Sequence, residues 1–202
     1  MKTMQALSLY RWKAIRTPGG SIYRSDGFTT IELMVVVAIL AILTALAAPS
    51  FRPLLERWRV RDAAESVTST LYLARSEAIK RGGQVVIRPN SGTDWGTGWY
   101  VFFDVNGNGT KNCNASMTPN ECDLQTVPAL TNVNISVAGT TNGGITIDRW
   151  GMASHTSGAS TAPTNMFFEI KPAGKDMTDS SAARLCAGLG GRIVRKKGSE
   201  TC

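Results

Sequence analysis

The sequence predicts an α+β fold in which a long N-terminal helix, transmembrane in its first half, packs on antiparallel β-sheets. Two patterns carry that expectation. Residues 33–48, LMVVVAILAILTALAA, run sixteen positions without a charged side chain, and beyond residue 83 the chain breaks into short β-rich runs separated by Gly, Asn, Ser and Pro. Between them lies a stretch with apolar residues at helical spacing. A chain of 202 residues, 43% of them apolar, suits one modest globular domain plus an accessory segment.

Residues 1–27 read as a leader. They hold Lys2, Arg11, Lys13, Arg16 and Arg24 against Asp26, which leaves only +3 of the formal +7 for the remainder. So modest a charge argues against a surface coated in nucleic acid, and an anion site has to come from where the cations cluster. Residues 28–48 read as the membrane half. Twenty-one residues rise about 31 Å as a helix, the thickness of a hydrocarbon core. A secretory signal has an apolar stretch of only about 7–15 residues with small residues after it; here a glycine precedes the run, so the cut falls before it. Glu32 is the one acid in this region. A carboxylate at membrane depth costs several kcal/mol unless paired. Cleavage after Gly27 would free an ammonium on Phe28, one turn away or on a neighbouring subunit; the alternative is a side chain that snorkels to water.

Gly27-Phe28-Thr29-Thr30-Ile31-Glu32-Leu33, followed by MVVVAILAILTALAAP, resembles the type IV prepilin signature. The resemblance implies cleavage by a prepilin peptidase between Gly27 and Phe28, N-methylation of Phe28, and a role for Glu32 in docking subunits. Thr30 stands where a larger aliphatic residue is commoner, and the leader is long for the family.

Residues 49–82 form the second helical half. Leu54, Trp58, Arg61/Asp62, Val67, Leu71 and Ala74/Ala78 fall near helical spacing, and Gly82-Gly83 after Lys80 and Arg81 give a C-terminal cap. Pro49 and Pro53 each remove a backbone donor, so one long, bent helix is expected. Arg52, Arg57, Arg59 and Arg61 lie just beyond the apolar span, where headgroup contact is the plain interpretation. Residues 83–202 then form an antiparallel β domain ending in a basic loop. Its strands are expected at QVVIRP, GWYVFFD, TVPAL, NISVAG, GITIDRWGM, NMFFEIKP and ARLCAG, with the rest of 138–162 as exposed loop. The helix followed by LARSEAIKRGGQVVI, GWYVFFDVNGNGT and GITIDRWGM resembles the GspH/FimT branch of minor pilins and pseudopilins, which implies a pilin-like fold. That branch includes both pilus and secretion proteins.

Four cysteines allow three pairings; Cys113 with Cys122 and Cys186 with Cys202 close two short loops and suit an oxidising compartment. No spacing suggests a metal or a cofactor. Asp104-Val105-Asn106-Gly107-Asn108-Gly109 opens like a calcium loop, but its twelfth position is Ala115 where a bidentate Glu is needed, so a β-turn is the better account. His155 has no Ser, Cys or Asp spaced for an activated nucleophile and reads as a solvated loop histidine. Trp95, Trp99, Tyr100, Phe102 and Phe103 could stack on bases, yet alternation in a strand points to core packing. The chain is expected to have no catalytic residues.

The C-terminus carries Arg192, Arg195, Lys196 and Lys197, four cations in six residues, inside the loop that a Cys186–Cys202 bond would close. Such a loop gains roughly 3 kcal/mol in the chain-entropy model. Glycines at 188, 190 and 191 leave its backbone accessible. The FimT resemblance implies more: FimT-like pilus proteins linked to DNA uptake carry a C-terminal Gly-Arg-x-Arg motif that contacts DNA. Here the text is Gly191-Arg192-Ile193-Val194-Arg195, one residue longer between the arginines. The expectation is a minor pilin that binds double-stranded DNA in natural transformation. Its other partners would be major and minor pilins, the prepilin peptidase, the inner-membrane assembly platform and the inner membrane. It would sit there as a single-pass protein with a periplasmic domain before joining a surface pilus. The alternative is a minor pilin or type II secretion pseudopilin that primes filament assembly without nucleic acid.

Overall fold

The computed structural model describes residues 27–114, 116, 120–138, 143–155, 163 and 165–202. The leader up to Asp26, Ala115 and residues 139–142 and 156–162 of the expected loop lie outside these. The chain divides into two units, Met1–Leu46 and Ala47–Cys202.

In the first unit, α1 runs Thr30–Ala47. Thr29 caps it: its Oγ1 accepts from the Glu32 backbone N–H at 3.3 Å, and its carbonyl accepts from Leu33 N–H at 3.2 Å. Phe28 therefore precedes the helix, and Glu32 stands in its first turn, where an acid complements the dipole. All eighteen residues are exposed, and the helix is long and apolar enough to cross a membrane. The expected single helix is instead interrupted. A 3-10 turn, Ala48–Phe51, contains Pro49, and α2 (Arg52–Arg81) starts with Pro53 in its first turn, where a missing donor removes no hydrogen bond.

In the second unit, α2 buries Val60, Ala63, Ala64, Val67, Thr70, Leu71, Ala74 and Ala78. Half of these are alanines, which lets the sheets approach the helix axis closely. The expected stripe is corrected at its start: Leu54 and Trp58 are exposed, as are Arg61 and Asp62, because the sheets cover the helix only from Val60 onward. Gly82 ends α2 in the left-handed conformation as expected, and Gly83 N–H donates to Ala78 O at 2.7 Å. Lys80 and Arg81 both reach back to Glu77, whose carboxyl pKa is lowered chiefly by the hydrogen bond from Arg81.

The strands are β1 (Val85–Ser91), β2 (Asp94–Phe103), β3 (Asp123–Val127), β4 (Val133–Val137), β5 (Ile145–Ile147), β6 (Ala153–His155), β7 (Met166–Pro172), β8 (Ala183–Ala187) and β9 (Ile193–Lys197). They make two antiparallel sheets, ordered β3-β2-β1-β5-β6 and β4-β7-β8-β9. The two meet in an aromatic cluster. Trp95 lies edge-on to Phe168 with centroids 5.1 Å apart and 5.4 Å from Trp99, all three fully buried. Both indole N–H groups are satisfied, Trp99 Nε1 by Thr70 Oγ1 and Trp95 Nε1 by the Gly143 carbonyl, each at 3.0 Å. The aromatic alternation is thus core packing, with Tyr100 and Phe103 half-buried beside it.

Two expectations fail here. His155 is the last residue of β6, opposite Ile145, rather than a solvated loop residue. Among the described residues its Nδ1 is buried without a hydrogen-bond partner, and desolvation holds its pKa below the ordinary histidine range. The C-terminal basic segment is also no loop: residues 193–197 add to β8 as an edge strand.

Candidate nucleic-acid interface

The edge strand β9 owes its register to a tight turn and a disulfide. Gly191, at φ +76°, lets the chain reverse after β8, with Gly191 N–H on the Gly188 carbonyl at 2.8 Å and Gly188 N–H on the Arg192 carbonyl at 3.0 Å. A Cβ at Gly191 would overlap the guanidinium of Arg75 from α2, which also donates to the Gly190 carbonyl at 3.4 Å. Arg75 passes close to Gly151, in the turn before β6, as well. One arginine therefore packs against two glycine turns and is hydrogen-bonded to one of them, a role that no sequence motif announced. The expected pairing Cys186–Cys202 is present, as is Cys113–Cys122. Two further contacts fix the tail: Arg184 Nη1 donates to the Glu200 carbonyl at 2.8 Å and Lys196 Nζ to the Thr201 carbonyl at 2.6 Å.

A strand alternates its side chains, so the four cations cannot act as one cluster. Arg195 stands opposite Leu185 and Lys197 opposite Ala183, both buried, which places these two cations on the sheet face turned toward α2. Lys196 stands opposite Arg184 and is half-buried. Arg192 lies in the turn and is exposed. The expected set thus separates into three accessible cations, Arg192, Arg195 and Lys197, and one tied back to the tail. None of the four forms an ion pair among the described residues.

Two of the nearby acids are already engaged. Glu56 and Asp179 both pair with Lys175, at 2.7 and 3.1 Å. The Glu56 hydrogen bond raises the Lys175 pKa, and the Ser181 backbone N–H followed by Lys175 lowers that of Asp179. Two arginines of α2, Arg57 and Arg61, border the same region as Arg195, with a cavity of about 570 Å³ between them. Sequence reasoning assigned these to headgroups because only the fold brings position 57 beside position 195.

The calcium-like loop is organised as the turn reading expected. Asp104 Oδ2 accepts from Gly109 N–H at 2.7 Å, and Asn106 and Asn108 cap Asn108 N–H and Thr110 N–H. What the sequence did not reveal is Glu121. It is 3% exposed, and its carboxylate accepts backbone N–H groups from Val105, Asn106 and Asn112 at 3.1, 3.3 and 2.9 Å. The anchor of this loop is distant in sequence, which is why a twelve-residue motif could not find it.

Comparison with known proteins agrees with this architecture. Residues 63–191 match the family described as type II transport protein GspH, and residues 23–48 match the prokaryotic N-terminal methylation motif. The chain is 45% identical over 60 residues to a fimbrial protein of Pseudomonas aeruginosa, 30% of this chain and 38% of that one. It therefore spans about two fifths of the length of that relative. It is 35% identical over 98 residues to the type IV narrow pilus major component PilA5 of Thermus thermophilus, 46% of this chain and 82% of that one. Among solved structures, the type IV minor pilin FimU of Pseudomonas aeruginosa superposes with a TM-score of 0.51 at 22% identity, covering 71% of this chain and 92% of that one, which establishes the fold. An apolar helix with a methylation motif, followed by antiparallel sheets whose sequence matches GspH as far as the turn before β9, makes this chain a member of the GspH family.

Proposed function

We propose that this subunit is a type IV minor pilin that binds duplex DNA for uptake in natural transformation, through the turn and edge strand at Arg192, Arg195 and Lys197. One observation supports the reading above the rest. Three accessible cations without acidic partners stand on a strand braced by a disulfide, a glycine turn and Arg75. Such a surface meets successive phosphates without reading sequence. Changing Arg192→Gln and Arg195→Gln together is expected to weaken duplex binding at least about 30-fold, since each lost charged contact is worth roughly 1 kcal/mol or more. Gel shift and transformation frequency would both drop while pili still assemble. Unchanged DNA binding in that variant would retire the reading.

The remaining roles follow from the prepilin resemblance. Prepilin peptidase cuts after Gly27, Phe28 is methylated, and Glu32 meets the freed ammonium of its own or a neighbouring subunit. The chain rests in the inner membrane through residues 28–48 with residues 83–202 in the periplasm, docks with the assembly platform, and joins other pilins. It works by packing and binding rather than by turnover. Mass spectrometry of the purified protein is expected to find an N-terminus at methylated Phe28; a chain that starts at Met1 would contradict this.

A second reading, priming of pilus or type II secretion filaments without nucleic acid, draws on the exposed Phe51, Leu54, Leu55 and Trp58. Under it, deletion would abolish the filament and the Arg192→Gln/Arg195→Gln variant would be silent in every assay.

A further inference from the structure

We propose that the cleft between α2 and β9 binds an unpaired nucleic-acid strand, with phosphate at one end and a base stacked on Tyr72 at the other. The inference builds on the reading of this edge as a nucleic-acid surface, but it concerns a different ligand state and fails separately from it.

The cleft consists of two adjoining cavities. The cationic one, about 570 Å³, is bordered by Arg57 and Arg61 of α2 and by Arg195, Lys196 and Lys197 of β9, with Ser180 and Ser181 at its side. Its neighbour, about 510 Å³, shares Arg61 and Arg195 and is otherwise lined by Leu185 and Ile193, the ring of Tyr72, and Glu65, Thr68 and Ser69. Each is of the size that holds a small organic ligand. Positions 57, 61, 65, 68 and 72 recur every three or four residues, so they form one face of α2.

Charge assigns the ends. Arg57, Arg61, Arg195 and Lys197 form no ion pair among the described residues: Lys175 occupies both Glu56 and Asp179, and Glu65, which shares the second cavity with Arg61 and Arg195, pairs with neither. Among the described residues Arg57 donates to Ser180 Oγ at 3.3 Å, and the Arg61 guanidinium lies over the Trp58 ring, 5.9 Å from its centroid. Four converging unpaired cations repel one another, and a phosphodiester placed among them relieves that repulsion. Glu65 repels phosphate from the second cavity while offering an acceptor to the amino group of a base, and Thr68 and Ser69 add hydroxyls. Tyr72 is 50% exposed, so ring surface is free for stacking above the apolar Leu185 and Ile193. A phosphate end and a ring end that share two residues match the adjacent phosphate and base of one nucleotide. A duplex keeps its base faces stacked inside and has nothing to offer Tyr72. The cleft therefore takes a single strand, such as the frayed end of an incoming duplex.

The test compares a 12-nucleotide single strand with a 12-base-pair duplex by fluorescence anisotropy, using the full chain in nanodiscs of zwitterionic lipid at two salt concentrations. Tyr72→Ala is expected to weaken single-strand binding at least about fivefold and leave duplex binding within about twofold. Tyr72→Phe, which keeps the ring, should bind as the parent does. Arg57→Gln with Arg61→Gln should reduce the single-strand salt slope by about 1.4. Single-strand binding that survives both changes, or duplex binding with no single-strand binding, overturns the cleft; the latter leaves the duplex reading intact. Single-strand binding that depends on Tyr72, with no duplex binding, upholds the cleft and removes the duplex reading instead.

Discussion

Replacing Trp99 with alanine is expected to lower the unfolding free energy of the globular unit by about 3–5 kcal/mol, as for other large buried aromatics. The indole is fully buried and touches the junction of both sheets through Trp95, which in turn meets Phe168. Truncation therefore opens a cavity where β2, β7 and α2 converge, and rigid sheets on either side prevent its collapse. The loss has a polar part too, since Thr70 Oγ1 is left buried without the indole N–H it accepts at 3.0 Å. Trp99→Phe separates the two: most of the volume stays, the hydrogen bond goes, and the expected loss is about 1–3 kcal/mol. Urea titration followed by circular dichroism checks both. A Trp99→Ala protein as stable as its parent would mean that the two sheets do not share this core. Against a typical stability of about 5–15 kcal/mol, the alanine variant would be marginal.

The second large effect is expected at Gly191. Valine there must adopt φ near +76°, a region that a β-branched residue almost never visits, and its Cβ would overlap the Arg75 guanidinium. Backbone strain alone costs about 1–3 kcal/mol, and the overlap adds to it. The turn would rearrange, β9 would lose its register on β8, and Arg195 and Lys197 would leave the face they share. Duplex affinity should then fall to the level of the Arg192→Gln/Arg195→Gln variant although every cation remains in the sequence. A double-mutant cycle isolates the overlap. Gly191→Ala in an Arg75→Ala background should cost less than in the parent, with a coupling of about 1–2 kcal/mol. Equal costs in both backgrounds would show that Arg75 does not constrain this turn.

Much of the fold was legible because its signals are local. An apolar run of sixteen residues, a glycine pair after Lys80-Arg81, and β-branched and aromatic runs between turn residues each depend on a few neighbours in sequence. The short cysteine spacings likewise pointed to the bonds that form. The failures share a physical cause. Leu54 and Trp58 have helical spacing yet stay exposed, since whether a stripe is buried depends on where the sheets end. The basic segment looked like loop because Ile193-Val194-Arg195-Lys196-Lys197 has few apolar residues, but an edge strand needs only one partner and tolerates charge on its open side. His155 took its loop assignment from polar neighbours, whereas pairing with β5 carries it into a strand.

At the candidate site the sequence located the cations but not their geometry. Arg192, Arg195, Lys196 and Lys197 read as one cluster, and only the alternation of β9 separates Lys196 from the others. Arg57, Arg61 and Arg75 lie more than a hundred residues before β9, so nothing short of the fold could associate them with it. Glu121 is invisible for another reason: it lies 9 to 16 residues from its three backbone partners, beyond the twelve positions of the motif.

A salt titration of duplex DNA binding by the full chain tests the central claim most directly. Three free phosphate contacts, from Arg192, Arg195 and Lys197, give a slope near −2.7 in log affinity against log salt concentration, about a 40-fold loss between 50 and 200 mM. The Arg192→Gln/Arg195→Gln variant should retain a slope near −0.9. Parent and variant with the same slope, or no duplex binding by the parent at 50 mM salt, would contradict the account.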